Sequence, residues 1–206
     1  HTAELAYRFG RKVRNLMNEQ EFKDIFPGVE LRADSQAAGR WETDQGGEYF
    51  AAGVGGSITG RGADLLIIDD PHSEQDALSK TAMENAWEWY TSGPRQRLQP
   101  GGAIVVVMTR WSETDLTEKL MEAQSKDENA DQWEIIDFPA LKDDGEPIWS
   151  EYWKKDQLDA VKASLPLNKW NAQWQQQPTS EETSIIKREW WQIWDKDHMP
   201  KVEYII

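Results

Sequence analysis

The sequence predicts an α/β protein built on a mostly parallel sheet with helices on its faces. Three observations carry this. Residues 65–68 and 103–108 are continuous apolar runs rather than alternating ones, as expected of strands buried on both faces of a parallel sheet. Each run closes on polar or bulky residues, Asp69, Asp70 and Pro71 in the first and Thr109, Arg110 and Trp111 in the second. A helical pattern lies between them, and the spacing of about 40 residues between corresponding strand ends fits a right-handed βαβ crossover. The two strand tips are therefore expected side by side.

The remaining elements follow in order. Thr2 is placed to N-cap a helix whose Leu5, Phe9, Val13, Leu16 and Met17 recur at spacings of three and four. Its Arg8, Arg11, Lys12 and Arg14 lie mostly elsewhere around the cylinder and read as a solvated face, with phosphate contact as the lesser option. From residue 33 to 62 glycines crowd in, with β-like pieces around Trp41 and over 48–52, so hairpin and loop are expected. Pro71 stops the first buried strand because it brings no N–H to a ladder. Met83, Ala86, Trp87 and Tyr90 fall in helical register behind Ser79 and Thr81, with Glu84 three after Thr81 as a capping box. Gly93 and Pro94 end that helix. After the second buried run, Ser112 and Asp115 form a further capping-box pattern for a helix carrying Leu116, Leu120 and Met121. Residues 133–138 read as another strand. Beyond Pro139 come acidic loops, a helix near Leu158, Val161 and Leu165, and then Leu167, Trp170 and Trp174 before Pro178. Residues 201–206 look like the start of a further strand.

A chain of 206 residues suits one domain of ordinary size, or one with a small appendage. With 37 acidic side chains against 23 Lys and Arg, the formal charge of -14 excludes a protein that coats nucleic acid through a basic surface, so any such contact is local. Hydrophobic residues make up 38%, but the 12 Trp among them let this modest content fill a core. The absence of Cys removes disulfide frameworks, thiolate metal sites and Cys nucleophiles, and makes an intracellular compartment the default expectation. The longest uncharged apolar run, 103–108, is far below the roughly 20 residues of a membrane span, so no bilayer crossing is expected. The chain opens on His1 with no signal-peptide pattern, and we expect that it has been cut from a longer one.

In open α/β sheets ligands bind beyond the carboxyl ends of the strands, which puts Asp69, Asp70 and Thr109 first among candidate site residues. An apolar strand ending in two carboxylates can hold Mg2+ with one acid while the second orients or deprotonates a water, a Walker B arrangement. The same pair also suits a simple turn before Pro71. Thr109, on the neighbouring tip, can reach a γ-phosphate or the attacking water, or serve as a helix cap. The Gly-rich stretch 53–62 invites a phosphate-loop reading, but no G-x-x-x-x-G-K-[ST] string exists in the chain. Within that stretch Arg61, on a Gly-flanked loop, is a candidate arginine finger or else a surface side chain. His1, His72 and His198 show no metal-ligand spacing and are set aside. Trp149, Trp153, Trp170, Trp174, Trp190, Trp191 and Trp194 favour core or interface packing over base stacking, given their acidic neighbours and helical spacing.

Three strings then stand out: Thr-Gly-Arg-Gly-Ala-Asp-Leu-Leu-Ile-Ile-Asp-Asp-Pro at 59–71, Met-Thr-Arg-Trp-Ser-Glu-Thr-Asp-Leu at 108–116, and Trp-Asn-Ala-Gln-Trp-Gln-Gln-Gln-Pro at 170–178. In this order and spacing the chain resembles, over nearly its whole length, the large terminase subunit of tailed bacteriophages, the ATP-driven motor and nuclease that packages DNA into procapsids. The resemblance implies a P-loop NTPase fold of the RecA/ASCE type, truncated at its N-terminus. Residues 1–140 would be the ATPase core without its Walker A segment, 141–200 a helical, Trp-rich subdomain and linker, and 201–206, from Val202, the first strand of a truncated nuclease domain. Asp69 matches the Walker B magnesium-site acid, and Asp70 the catalytic carboxylate, a position where the wider family usually has Glu. Thr109 matches the coupling motif, so Asp69 and Thr109 are the implied nucleotide-site residues. Arg61 lies where some terminases place a finger acting on a neighbouring subunit's nucleotide. The implied cofactors are ATP and Mg2+. The implied partners are double-stranded DNA, the portal protein, the small terminase subunit and sister copies in a homo-oligomeric ring, with no membrane. The implied location is the host cytoplasm, transiently on the procapsid. The Walker A loop is expected before His1 and the nuclease acids after Ile206, so hydrolysis is expected of the longer protein rather than of this stretch alone.

Two other classes stay open. A metal-dependent nuclease using Asp64, Asp69, Asp70 and Asp115 has against it the strand length of about 16 Å between Asp64 and Asp69. A non-catalytic interaction module is supported by the Trp-rich acidic tail and the absent phosphate loop.

Overall fold

The computed structural model describes residues 2–179. Helices α1 (Ala3–Leu16) and α2 (Gln20–Ile25) lead into an antiparallel meander of β1 (Leu31–Ala37), β2 (Arg40–Thr43) and β3 (Glu48–Phe50). Then come β4 (Ala63–Asp69), α3 (Lys80–Ser92), β5 (Leu98–Val107) and α4 (Leu116–Lys126). Helix α5 (Lys155–Ser164) follows, and a helical turn, Leu167–Lys169, runs into a π-helical one, Trp170–Trp174. The molecule is a mixed α/β protein with a small parallel sheet and helices. No described helix is long and apolar enough to cross a membrane.

Strands β4 and β5 pair in parallel, in register from Leu65 opposite Ala103 to Asp69 opposite Val107. Ile68 lies on the inner face with Tyr90 of α3 and Leu116 and Leu120 of α4, and Leu66, Ile104, Val106, Trp87 and Trp133 pack around them. The other face departs from expectation. Leu65, Ile67, Val105 and Val107 remain between 44% and 60% exposed, so among the described residues the helices cover one face of the sheet rather than both. Alternation of side chains across the pleat produces this split, and an unbroken apolar run cannot report whether a second layer lies over its outer face.

Helix α1 also turns a different side inward. The stripe of Phe9, Val13 and Leu16 is solvent-facing, and Gly10 and the following Met17 are buried instead. The reason is close backbone approach to the meander. A Cβ on Gly10 would lie 2.5 Å from both the Ala38 carbonyl oxygen and the Tyr49 ring, and the buried Trp41 indole donates to the Gly10 carbonyl at 3.1 Å. Trp41 and Tyr49 stack at 5.0 Å across the β2–β3 pair, which gives the meander its own apolar anchor. Thr2 occupies the N-cap of α1 with extended backbone, without a side-chain capping bond.

Two caps are set by other residues than the sequence pattern suggests. Ser79, not Thr81, caps α3 by accepting from the Ala82 N–H. Asp115, not Ser112, caps α4 by accepting from the Glu118 N–H at 3.0 Å. Residues 133–138 form no strand, since no described neighbour offers them a ladder. Trp133 joins the inner core while Ile135, Ile136 and Phe138 stay exposed. Farther on, Trp170 and Trp174 stack at 5.8 Å and Trp153 meets Trp174 edge-on at 5.5 Å. Trp170 is buried and Trp153 and Trp174 half-buried, in line with packing, whereas Trp149 is exposed and stacks on Tyr152. The expected strand at 201–206, with Val202, and the residues Trp190, Trp191 and Trp194 lie outside the described residues.

Candidate functional site

The parallel pairing ends where the polar residues begin. Asp69 is the last residue of β4, and the Asp70 N–H adds one more rung by donating to the Val107 carbonyl at 2.9 Å. The chain then turns sharply. Asp70 has φ of 42°, in the left-handed region that Asp and Asn tolerate better than other side-chain-bearing residues. From that position its Oδ1 accepts the Thr109 N–H at 3.1 Å. Asp69, Asp70 and Thr109 are thus brought to one rim, at the carboxyl ends of neighbouring parallel strands. Asp69 and Asp70 are exposed there and Thr109 half-buried.

Below the rim, His72, Arg110, Asp115 and Glu118 hold it in place, and of these the sequence marked only Asp115 for a role, as part of a capping box and as an acid of the nuclease alternative. His72 is buried, and its Nε2 accepts the Leu116 N–H at 3.0 Å, which makes it the neutral tautomer with the proton on Nδ1. Burial pushes its pKa below the ordinary 6.5, although the nearby Asp115 and Asp76 pull it upward. The bond ties the loop after β4 to an otherwise unsatisfied amide in the first turn of α4. Asp115, with no exposed surface, accepts from Arg110 Nε at 3.0 Å and from the backbone N–H groups of Trp111 and Ser112 at 3.0 and 3.4 Å. Arg110, itself buried, also reaches Glu118 at 2.6 Å. The segment leaving β5 is therefore bolted to the N-terminus of α4 by a buried ion pair.

The third motif arrives from the far end of the chain. Gln176 has φ of 58°, and its side-chain Oε1 accepts the Arg110 N–H at 3.3 Å while its Nε2 donates to the Gln173 carbonyl at 2.9 Å. Gln175 bonds both the N–H and the carbonyl of Leu141, each at 3.0 Å. All three strings that the sequence marks thus meet around residues 109–110.

Arg61 lies elsewhere. It precedes β4 and pairs with Glu48 of β3, its guanidinium 3.9 Å above the Phe50 ring. The length of β4, about 20 Å at the usual rise, separates it from the Asp69 rim of the same chain. Asp64 sits near that same far end, and Asp115 is enclosed by its pairing with Arg110. The four acids Asp64, Asp69, Asp70 and Asp115 are not gathered, and no group of three or more His, Asp or Glu placed to hold a metal occurs among the described residues. Two adjacent carboxylates and a hydroxyl at an open rim nevertheless fit Mg2+, a hard cation that takes one or two protein oxygens and keeps its waters.

Fold and rim together define a mixed α/β protein whose candidate site lies at the carboxyl ends of adjacent parallel strands. Neither the models of known protein families nor the curated proteins match this chain.

Proposed function

We propose that the chain is the Walker B-bearing part of a P-loop NTPase, the ATPase of a terminase large subunit that drives viral DNA into procapsids. The observation that carries this reading is the Asp70–Thr109 hydrogen bond, which joins an acidic strand tip to a hydroxyl-bearing one at a single rim. Bound Mg·ATP would supply the electrophilic γ-phosphoryl group and the charge neutralisation of its transfer. Asp69 would hold the cation. Asp70 would orient the attacking water and accept its proton, with Oδ1 already fixed by the Thr109 amide. Thr109, on the adjacent tip, would report the state of the γ-phosphate to the rest of the chain. Arg61, a strand length away, would act on the nucleotide of a neighbouring subunit in a homo-oligomeric ring. Double-stranded DNA, the portal protein and the small terminase subunit are the partners of this reading, in the host cytoplasm and on the procapsid.

The test is DNA-stimulated ATP hydrolysis by the intact protein. Asp69→Asn is expected to abolish turnover, and near-normal turnover refutes the assignment. Mixing Arg61→Ala with unaltered subunits is expected to depress activity more steeply than the altered fraction. A merely proportional fall counts against a shared site.

A further inference from the structure

Beyond the acids and Thr109, we propose that Gln176 is a positioning residue for the rim, a role that rests on the ATPase reading above. Its side-chain amide is engaged at both ends. Oε1 takes the N–H of Arg110, the residue directly after Thr109, and Nε2 is anchored on the Gln173 carbonyl. The backbone of Gln176 is held at φ of 58°, an unfavourable conformation for Gln that persists only where the surroundings impose it. Here the surroundings are specific. Gln175 clamps both backbone groups of Leu141, the Ala140 N–H donates to the Trp174 carbonyl at 2.6 Å, and Trp174 is stacked on the buried Trp170.

The consequence concerns Thr109. Its own N–H is fixed by Asp70 and the next N–H along is fixed by Gln176, so the peptide planes entering and leaving Thr109 are each held by one bond, from 39 and 66 residues away in sequence. The side chain of Arg110 is held separately by Asp115 and Glu118. Gln176 therefore holds the backbone that carries the Thr109 side chain without touching the reacting atoms, and it links that backbone to the Trp170–Trp174 turn.

Two substitutions remove the clasp and leave the fold intact. Gln176→Gly relieves the left-handed backbone while deleting the side chain, and Gln176→Asn keeps the amide and suits that backbone but is one methylene too short to reach. In the full-length protein, both are expected to speed hydrogen exchange at the Arg110 amide about five- to tenfold, the scale of one lost hydrogen bond. Both are also expected to lower kcat for DNA-stimulated hydrolysis with KM for ATP unchanged. Unchanged exchange at Arg110 overturns the clasp. Faster exchange with unchanged kcat, in a protein that Asp69→Asn inactivates, overturns the positioning role and leaves the ATPase reading standing. Full turnover in Asp69→Asn removes both, and exchange at Arg110 then still separates a structural clasp from none.

Discussion

Replacing Asp115 by Ala removes one member of a buried ion pair and a helix cap in the same step. The Asp115 side chain has no exposure and that of Arg110 only 10%, so neither charge is well screened by water. Truncating one partner of such a pair destabilises by about 3–5 kcal/mol, because the remaining charge stays buried. Arg110 keeps Glu118 at 2.6 Å, a carboxylate 39% exposed that still neutralises it in part, which places the loss near the lower end of the range. The lost acceptor for the Glu118 N–H adds about 1 kcal/mol. The total, about 4 kcal/mol, is a large part of the roughly 5–15 kcal/mol that holds a domain together. At 2–4 °C per kcal/mol for a chain of this size, the thermal midpoint is expected to fall by about 8–16 °C. Asp115→Asn keeps one oxygen, enough for the Glu118 cap made by Oδ1 but not for the Trp111 and Ser112 N–H groups bound by Oδ2, so it should lose the ionic part, retain the cap and fall between wild type and Ala. Urea and thermal unfolding of the three proteins measure this order. An Ala variant within about 1 kcal/mol of wild type would show that the pair does not anchor the strand exit, and Asn and Ala variants that cannot be told apart would show that the cap adds nothing to it.

Two further outcomes follow from the same region. Asp70→Asn keeps both the left-handed preference and an oxygen for the Thr109 N–H, so stability should change by less than about 0.5 kcal/mol while kcat drops about 100-fold or more; a parallel collapse of fold and activity contradicts a specific role for the carboxylate. His72 is neutral in the folded state with its pKa below the ordinary 6.5, so the unfolded chain takes up the proton first as the solution is acidified. Its contribution is present above about pH 6.5 and declines as pH falls toward the folded-state value. His72→Gln, which accepts the Leu116 N–H without titrating, should flatten the dependence of the urea midpoint between pH 7.5 and 5.5, and an unaltered slope would assign that dependence to other groups.

Local signals carried much of this architecture. The apolar runs, the Gly93–Pro94 stop and the helical register of Met83, Ala86, Trp87 and Tyr90 each depend on neighbours within a few positions, and β4, α3 and β5 formed where they pointed. The adjacency of Asp70 and Thr109 followed from parallel-sheet geometry alone. Patterns that need a distant partner were misleading or silent. Residues 133–138 have strand composition, yet a strand exists only where another backbone accepts its rungs. Phe9, Val13 and Leu16 have helical spacing, yet Gly10 faces the meander because close approach of two backbones outweighs apolar area. His72, Arg110 and Gln176 were invisible for the same reason. The side-chain-to-backbone bonds that join His72 to Leu116 and Gln176 to Arg110 span 44 and 66 residues and leave no periodic trace. The only hint was that Arg110 and Gln176 sit inside two of the three marked strings.

The way Gln175 grips Leu141 has a dynamic consequence. A side-chain amide that serves one residue's N–H and carbonyl imitates a single rung of sheet without committing a strand to it. Such a fastening has few members, the neighbouring Ala140–Trp174 backbone bond among them, so it is expected to open and close below the free energy of global unfolding. The aromatic turn and the segment around Leu141 are thereby held by a hook that can release without melting a helix or strand.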